Sequence, residues 1–211
     1  MNKDKEIVGI IAYNSGNIGS ILKTVKKFKK RTLIIKNYKD LDRCNKIILP
    51  GVGSFGVAID YLKKRNLFTK LKNFILNGGD TLAICLGMQI LFHSSDENKG
   101  VKGLNIFKRK IKKIQDNNIV SVPHIGWNKI FIKKKTNDSF LEMLRQKKFY
   151  FSHSFADKFE ASNNSQSYFK YGKTAYVSSI EYKNLIGLQF HPELSGDAGK
   201  EIIKFFLEGK K

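Results

Sequence analysis

Cys85 stands at an abrupt junction, Thr81-Leu82-Ala83-Ile84-Cys85-Leu86-Gly87-Met88-Gln89, where four strand-forming residues run into a cysteine and then a helix-forming segment, Met88 to Phe92. A strand that turns at once into a helix exposes the corner side chain. It also aims backbone N–H groups and the positive end of the helix dipole at that side chain. Such a corner favours a thiolate and can hold an oxyanion beside it. The competing reading is a buried structural cysteine, a common fate for a free thiol. A second pair of reactive groups comes far downstream, in His191-Pro192-Glu193. Residues two apart in an extended chain point the same way, and the proline between them stiffens the segment. Glu193 can then orient the imidazole and stabilise its charged form, while the other ring nitrogen faces a nucleophile. A lone His191 would read as a packed or surface histidine; beside a carboxylate, with a cornered thiol elsewhere, it reads as a base. Cys85, His191 and Glu193 together imply acyl transfer through a thioester, followed by hydrolysis. His191 would protonate a leaving nitrogen and later activate water. The other cysteine, Cys44, lies in a polar linker and reads as inert.

Strands and helices must bring these groups together. Glu6 to Ala12 is a short continuous apolar run of the kind buried on both faces of a parallel sheet. After the turn residues Tyr13 to Asn17, Ile18, Ile21, Leu22, Val25 and Phe28 recur at helical spacing. Strands are predicted at Thr32 to Ile35, Lys46 to Leu49 and Thr81 to Ile84. Helices are predicted from a Ser54 cap to Lys64, and from Phe68 to Leu76 before Gly78-Gly79. This rhythm predicts βαβ units: an α/β fold with an open, mostly parallel central sheet flanked by helices. The third strand ends in Pro50-Gly51-Val52-Gly53-Ser54-Phe55-Gly56, whose glycines let the backbone approach a ligand closely. They do not fit G-x-G-x-x-G, and no Gly-Lys-Ser/Thr follows, so nucleotide binding is disfavoured. An ordinary tight turn is the plainer alternative. Loops after neighbouring parallel strands emerge on the same sheet edge. Gly51, Val52 and Gly53 should therefore lie beside Cys85, and their N–H groups, with that of Leu86, would hold an oxyanion.

Beyond about Ser94 the pattern becomes shorter alternating runs, at Asn105 to Phe107, Ile111 to Ile114, Ile119 to Val122 and Lys129 to Ile132, read as an additional antiparallel region. Pro123 to Asn128 is placed in a turn there, carrying the lone Trp127 either as a lid over core or as a contact for another protein. Asp138 to Gln146 reads as a helix and Phe149 to Ser152 as a strand with His153-Ser154-Phe155 at its end. Lys173 to Ile180 and Leu185 to Phe190 suit a hairpin. A closing helix capped by Ser195 or Asp197 follows. With no repeat or linker, residues 1–211 read as one domain.

Composition narrows the classes further. No apolar run approaches the roughly 20 residues that span a bilayer, and the N-terminal run lacks a signal-peptide core; the expectation is a cytoplasmic protein with no membrane partner. Two cysteines and four scattered histidines offer neither a disulfide framework nor a metal site, and no cofactor is expected. The net charge of +21, from 39 basic and 18 acidic residues, could serve nucleic acid. However, the lysines are spread along the chain and only five basic residues are arginine, so a solvated basic surface is expected and no nucleic-acid partner.

With these residues in place, the chain resembles the class I, triad-type glutamine amidotransferases, and within them the glutaminase subunits of imidazole glycerol phosphate synthase. The likeness runs in order through Gly16-Asn17, PGVGSF, AICLGMQ, HIGWN, SHSF and QFHPE. It implies hydrolysis of glutamine, with ammonia passed to a (β/α)₈-barrel cyclase partner in a heterodimer that makes imidazole glycerol phosphate and AICAR. Cys85 matches the family nucleophile, with His191 and Glu193 its partners. Gln89 matches the contact to the α-amino-acid end of the substrate, and Ser154 and Phe155 match a segment binding that end through its backbone. Asn17 and Trp127 match the partner's face. Two positions depart from many relatives: Ala12 replaces an acidic residue, and Leu194-Ser195 replaces a Lys-Ser whose lysine contacts the cyclase. A paralogue supplying ammonia to a sugar amidotransferase, and a cysteine hydrolase of another amide, are the alternatives these departures leave.

Overall fold

The computed structural model describes residues 6–13, 18–115, 120–132, 138–160 and 165–209. Its parallel half follows the apolar runs. Strands β1 (Ile7–Ile11), β2 (Arg31–Ile35), β3 (Lys46–Leu49) and β4 (Asp80–Ile84) alternate with helices α1 (Ile18–Lys27), α2 (Tyr38–Leu41), α3 (Phe55–Lys64) and α4 (Phe68–Leu76). After Cys85 come α5 (Leu86–Gln89), β5 (Phe92–Ser95), β6 (Phe107–Lys113), β7 (His124–Ile132) and α6 (Ser139–Leu144). The chain closes with β8 (Lys148–His153), β9 (Phe155–Ala156), β10 (Ser165–Tyr171), β11 (Thr174–Tyr182), β12 (Leu185–Leu188), a 3₁₀ turn at Pro192–Leu194 and α7 (Gly196–Glu208).

Among the described residues, nine strands form one sheet in the order β2-β1-β3-β4-β12-β11-β10-β7-β8. The five strands from β2 to β12 pair parallel, and the remainder pair antiparallel. The expected parallel sheet is therefore continuous with only part of the expected antiparallel region, the run at Ile111 to Ile114 falling in β6 outside this sheet. A three-stranded sheet, β5-β6-β9, lies apart from it. Side-chain alternation divides the core between the faces of the large sheet. Ile47, Leu49 and Ala83 pack with Ala58, Ile59, Leu62, Leu71 and Ile75 of α3 and α4 on one face. Val8, Ile10, Ile48, Leu82 and Ile84 pack with Ile21 and Val25 of α1 and Ile202, Ile203 and Phe206 of α7 on the other. Each fully buried Leu, Ile or Phe side chain contributes about 1.5–3 kcal/mol, and this two-sided burial holds the parallel strands in register.

Several expectations need correction. The helix predicted over Met88 to Phe92 is only the single turn Leu86–Gln89; Phe92 instead opens β5, fully buried against Phe107. β5 and β6 pair parallel, not antiparallel, with Phe92 opposite Phe107. The residues from His124 to Asn128 are not a turn but the start of β7, paired residue for residue with β8 from His124↔His153 to Lys129↔Lys148. Pro123 precedes that strand, where its missing N–H costs nothing. Of the strand expected over Ile119 to Val122, only a bridge at Val120 is found among the described residues. β10 was missed because polar Ser165, Gln166 and Ser167 dilute its pattern. Ser54 and Ser195 sit at helix N-caps without capping through their side chains. Ser54 Oγ donates to Asn98 Oδ1, while Ser195 Oγ donates to the His191 carbonyl and accepts from the Tyr150 amide.

Candidate active site

Cys85 is the corner residue between β4 and α5, with φ 49° and ψ −105°. A non-glycine residue held at positive φ is strained, and such strain persists where surrounding structure over-determines it. The determinants are visible. The Cys85 amide donates to the Leu188 carbonyl of β12 at 2.6 Å, and the Cys85 carbonyl accepts from Gln89 N at 3.0 Å. A Cβ on Gly51 would collide with the Ile84 carbonyl and Leu86 amide, and one on Gly87 with the Leu49 carbonyl. The glycine loop thus lies directly against the thiol's backbone, as the shared sheet edge requires.

β12 brings the second half of the site. It pairs parallel with β4, placing Leu188 opposite Ile84, so the chain beyond it arrives at the same edge as Cys85. His191 Nδ1 lies 2.9 Å from Glu193 Oε1, both side chains almost wholly buried. With Nδ1 engaged, the buried Nε2 has no hydrogen-bond partner among the described residues and is the ring nitrogen left for the Cys85 sulfur, whose proximity acts on the charge of the ring. Burial opposes charge on this ring, but the adjacent Cys85 and then Glu193 outweigh it and raise its pKa well above the ordinary imidazole range. Positive charge is thus favoured on the His191 ring, which stands between Cys85 and Glu193.

A half-open cavity of about 270 Å³ opens at the sulfur. It is lined by Gly51, Val52, Gly53, Cys85, Leu86, Gln89, Glu97, Ser152, His153, Ser154 and Phe155. All four expected oxyanion positions and all three expected substrate positions thus share one cavity with Cys85. The Ser154 carbonyl accepts from Ile114 N, and the Phe155 carbonyl accepts from Gln89 Nε2 at 2.8 Å, so both are engaged within the protein. Trp127 is on an exposed face, 55% accessible beside Ile125, its ring edge-on to Tyr150. Asn17 lies outside the described residues. Cys44 lies in the linker between α2 and β3 and is buried there, its thiol pushed up to about 11 by burial and then by Asp40; it stays protonated and unreactive.

Sequence reasoning missed Glu97 and Asn98. Glu97 Oε2 accepts from Phe55 N at 2.8 Å, and Asn98 Oδ1 accepts from Gly56 N at 2.8 Å. These two cap α3 from a distant loop and fix the glycine turn; Glu97 is also the carboxylate that lines the cavity. The polar run Asp96-Glu97-Asn98 was the available signal, but nothing local tied it to residues some 40 positions earlier. Gln189 was missed likewise, although it stands inside QFHPE. No grouping of His, Cys, Asp and Glu suited to a metal occurs among the described residues.

Comparison with known proteins agrees with this architecture. The glutamine amidotransferase class-I family matches residues 7–209. The chain is 40% identical over 206 residues to imidazole glycerol phosphate synthase subunit HisH of Methanocaldococcus jannaschii, covering 96% of this chain and 99% of that one. It is 36% identical to imidazole glycerol phosphate synthase hisHF of Schizosaccharomyces pombe over 96% of its own length, but spans only 38% of that longer protein. Among solved structures, a glutamine amidotransferase superposes with a TM-score of 0.73 at 14% identity, over 95% of this chain and 97% of that one. The chain therefore belongs to the class-I glutamine amidotransferases and, within them, to the HisH subunits of imidazole glycerol phosphate synthase.

Proposed function

We propose that this chain hydrolyses glutamine to glutamate and ammonia through a thioester on Cys85, and delivers the ammonia to a cyclase subunit. The observation that carries the reading is His191 held by Glu193 on one nitrogen and left to Cys85 on the other. The Cys85 sulfur attacks the side-chain carboxamide carbon, and negative charge develops on its oxygen. N–H groups of Leu86 and the Gly51-Val52-Gly53 loop are the donors at hand for that charge. His191 gives its Nε2 proton to the leaving nitrogen, the C–N bond breaks and ammonia departs. The now neutral ring takes a proton from water, whose oxygen displaces the sulfur and releases glutamate. A cavity of about 270 Å³ suits an amino-acid-sized substrate. Glu97 supplies a carboxylate for the α-ammonium group, and Gln89 a polar contact at the same end.

The partner reading rests on the hisHF relative, in which a chain like this one forms part of a longer protein. The exposed apolar residues Ile125, Trp127 and Leu194 offer docking contacts. Leu194 stands where the family resemblance puts a lysine in many members, which makes that contact here apolar. A (β/α)₈-barrel cyclase, a heterodimer, an ammonia channel and the products imidazole glycerol phosphate and AICAR are what family membership supports for the assembled enzyme. No helix among the described residues is long and apolar enough to cross a membrane.

The test is the pair of nitrogen sources. With the cyclase subunit present, Cys85→Ala should abolish glutamine-dependent synthesis and leave ammonia-dependent synthesis intact. Surviving use of glutamine would refute the mechanism.

A further inference from the structure

Gln189 and two buried histidines, His124 and His153, take no part in the mechanism above, yet a continuous hydrogen-bond chain joins them to Cys85. The proton positions along this chain follow from its acceptors. The Phe155 carbonyl can only accept, so His153 Nδ1, at 2.9 Å, donates to it. Burial pushes His153 down to about 3 and His124 down to about 4, so both rings are neutral near pH 7. His153 Nε2 must then accept, and the group 3.3 Å away, His124 Nδ1, donates. That leaves His124 Nε2 to accept from Asn128 Nδ2 at 3.4 Å. Asn128 is itself oriented, donating to the Lys170 carbonyl and accepting from Lys129 N. From the other side, the Gln89 amide donates both to the Phe155 carbonyl at 2.8 Å and to Gln189 Oε1 at 3.2 Å. With its oxygen taken, Gln189 presents Nε2 to the Cys85 sulfur at 3.6 Å. Every orientation is forced by the next group, so the amide and imidazole assignments support one another.

We propose that Gln189 is a further catalytic residue of the glutaminase centre, donating its amide N–H to the Cys85 thiolate. In the same proposal, His153 and His124 are positioning residues that hold the Phe155 carbonyl, and through Gln89 hold Gln189, in place. The chemistry favours this role. Gln189 is fully buried, and the sulfur's alternative contact is the Ser152 carbonyl at 3.8 Å, which can only accept and so suits the thiol. Loss of the thiol proton removes the use of that acceptor and calls for donors, and Gln189 is the donor that stands beside the His191 imidazolium. A hydrogen bond to an ionised group is stronger than one between neutral groups, so it acts on the charged nucleophile in particular. The chain also ends in β7, one residue from Trp127, which couples the nucleophile's surroundings to the strand presenting that exposed ring.

The inference rests on the glutaminase reading, and the two can fail separately. Iodoacetamide alkylation of Cys85, followed by mass spectrometry across pH 5 to 9, reads the thiolate directly in the isolated chain. Gln189→Met, close in shape but without a donor, should move the rise in alkylation to higher pH. Gln189→Glu, which places a carboxylate there, should move it further. In the complex with the cyclase subunit, Gln189→Met should lower kcat for glutamine about 10- to 100-fold while KM changes little. His153→Leu should chiefly raise KM, and His153→Asn, whose amide can stand in for Nδ1–H, should restore it. An alkylation profile unmoved in both Gln189 variants would overturn the assignment. If an electrophilic glutamine analogue leaves Cys85 of the unaltered chain unlabelled, the glutaminase reading itself falls. Normal labelling with an unmoved profile removes only the role of Gln189.

Discussion

His191 Nδ1 and Glu193 Oε1 are 2.9 Å apart in a place that water hardly reaches, the two side chains being 1% and 2% exposed. A carboxylate so placed fixes the tautomer of the ring and stabilises its charged form. Glu193→Gln keeps the shape but removes the charge. Glutamine turnover should fall about 10²- to 10⁴-fold, with ammonia-dependent synthesis unchanged. Steady-state assays with the two nitrogen sources decide it; equal losses in both would point to misfolding instead.

Gly51 and Gly19 should respond to alanine in opposite ways. At Gly51 the added carbon would overlap backbone atoms of Ile84 and Leu86, which cannot move aside. Overpacking of this kind costs about 1–3 kcal/mol, and here it also shifts the oxyanion loop. Gly51→Ala should lower both the melting temperature and turnover. At Gly19, within α1, nothing among the described residues lies within 4 Å of the new carbon, so Gly19→Ala should stabilise the chain by about 0.5–1 kcal/mol. Thermal melts of the two variants, side by side, check the pair.

The two buried histidines should withdraw stability from the fold as the solution turns acid. The folded-state pKa of His124 is pushed down by burial to about 4, against about 6.5 for a free imidazole. Between these values the unfolded chain binds a proton that the folded chain refuses, so stability falls as pH falls through this window. For His124 alone the loss amounts to about 3 kcal/mol by pH 4, and His153 adds to it in the same direction. Asp157, whose carboxyl is raised to about 7 by burial, acts the opposite way over the same range, so the histidine contribution is read as the difference between the unaltered chain and a variant in denaturant titrations at pH 7, 6, 5 and 4. The slope should be shallower in a His124→Asn variant; an identical slope would refute the assignment.

Glu97 has two duties that a conservative change separates. Glu97→Gln retains an acceptor for Phe55 N but withdraws the negative charge from the cavity. KM for glutamine should rise about tenfold or more, as for a lost charge-assisted hydrogen bond, with little change in kcat. A lowered kcat at constant KM would place the residue elsewhere in the cycle.

Trp127 is the residue on which docking is expected to turn. A half-exposed indole set against Tyr150 is the kind of side chain that dominates interfaces. Trp127→Ala should weaken binding of the cyclase subunit by about 2 kcal/mol or more without lowering the melting temperature. Titration calorimetry with the purified partner reads it.

The parallel half was legible because each of its strands is an uninterrupted apolar run closed by a turn signal. Lys46–Leu49 and Phe68–Leu76 fall where periodicity places them. Cys85 was legible from its corner, but His191 and Glu193 were expected on an extended strand end, whereas β12 stops at Leu188 and a 3₁₀ turn at Pro192–Leu194, with His191 at its N-cap, brings the imidazole and carboxylate together. The antiparallel half resisted because its register depends on partners distant in sequence. His124 to Asn128, with a proline before and a glycine within, imitates a turn, yet six pairings with β8 hold it extended. Ser54 and Ser195 had the chemistry of helix caps, but Asn98, Tyr150 and the His191 backbone competed for their hydroxyls and won. Glu97 and Gln189 owe their places to contacts with residues 42 and 104 positions away, which no local pattern encodes.

The seat of β12 between β4 and β11 has a consequence for the chain as it leaves the ribosome. Leu188, whose carbonyl receives the Cys85 amide, is translated more than a hundred residues after the cysteine. Until then the nascent polypeptide carries a thiol without its imidazole and a strand edge without its neighbour. An incomplete product therefore lacks both the imidazole that the proposed thioester chemistry requires and the carbonyl that seats the Cys85 amide.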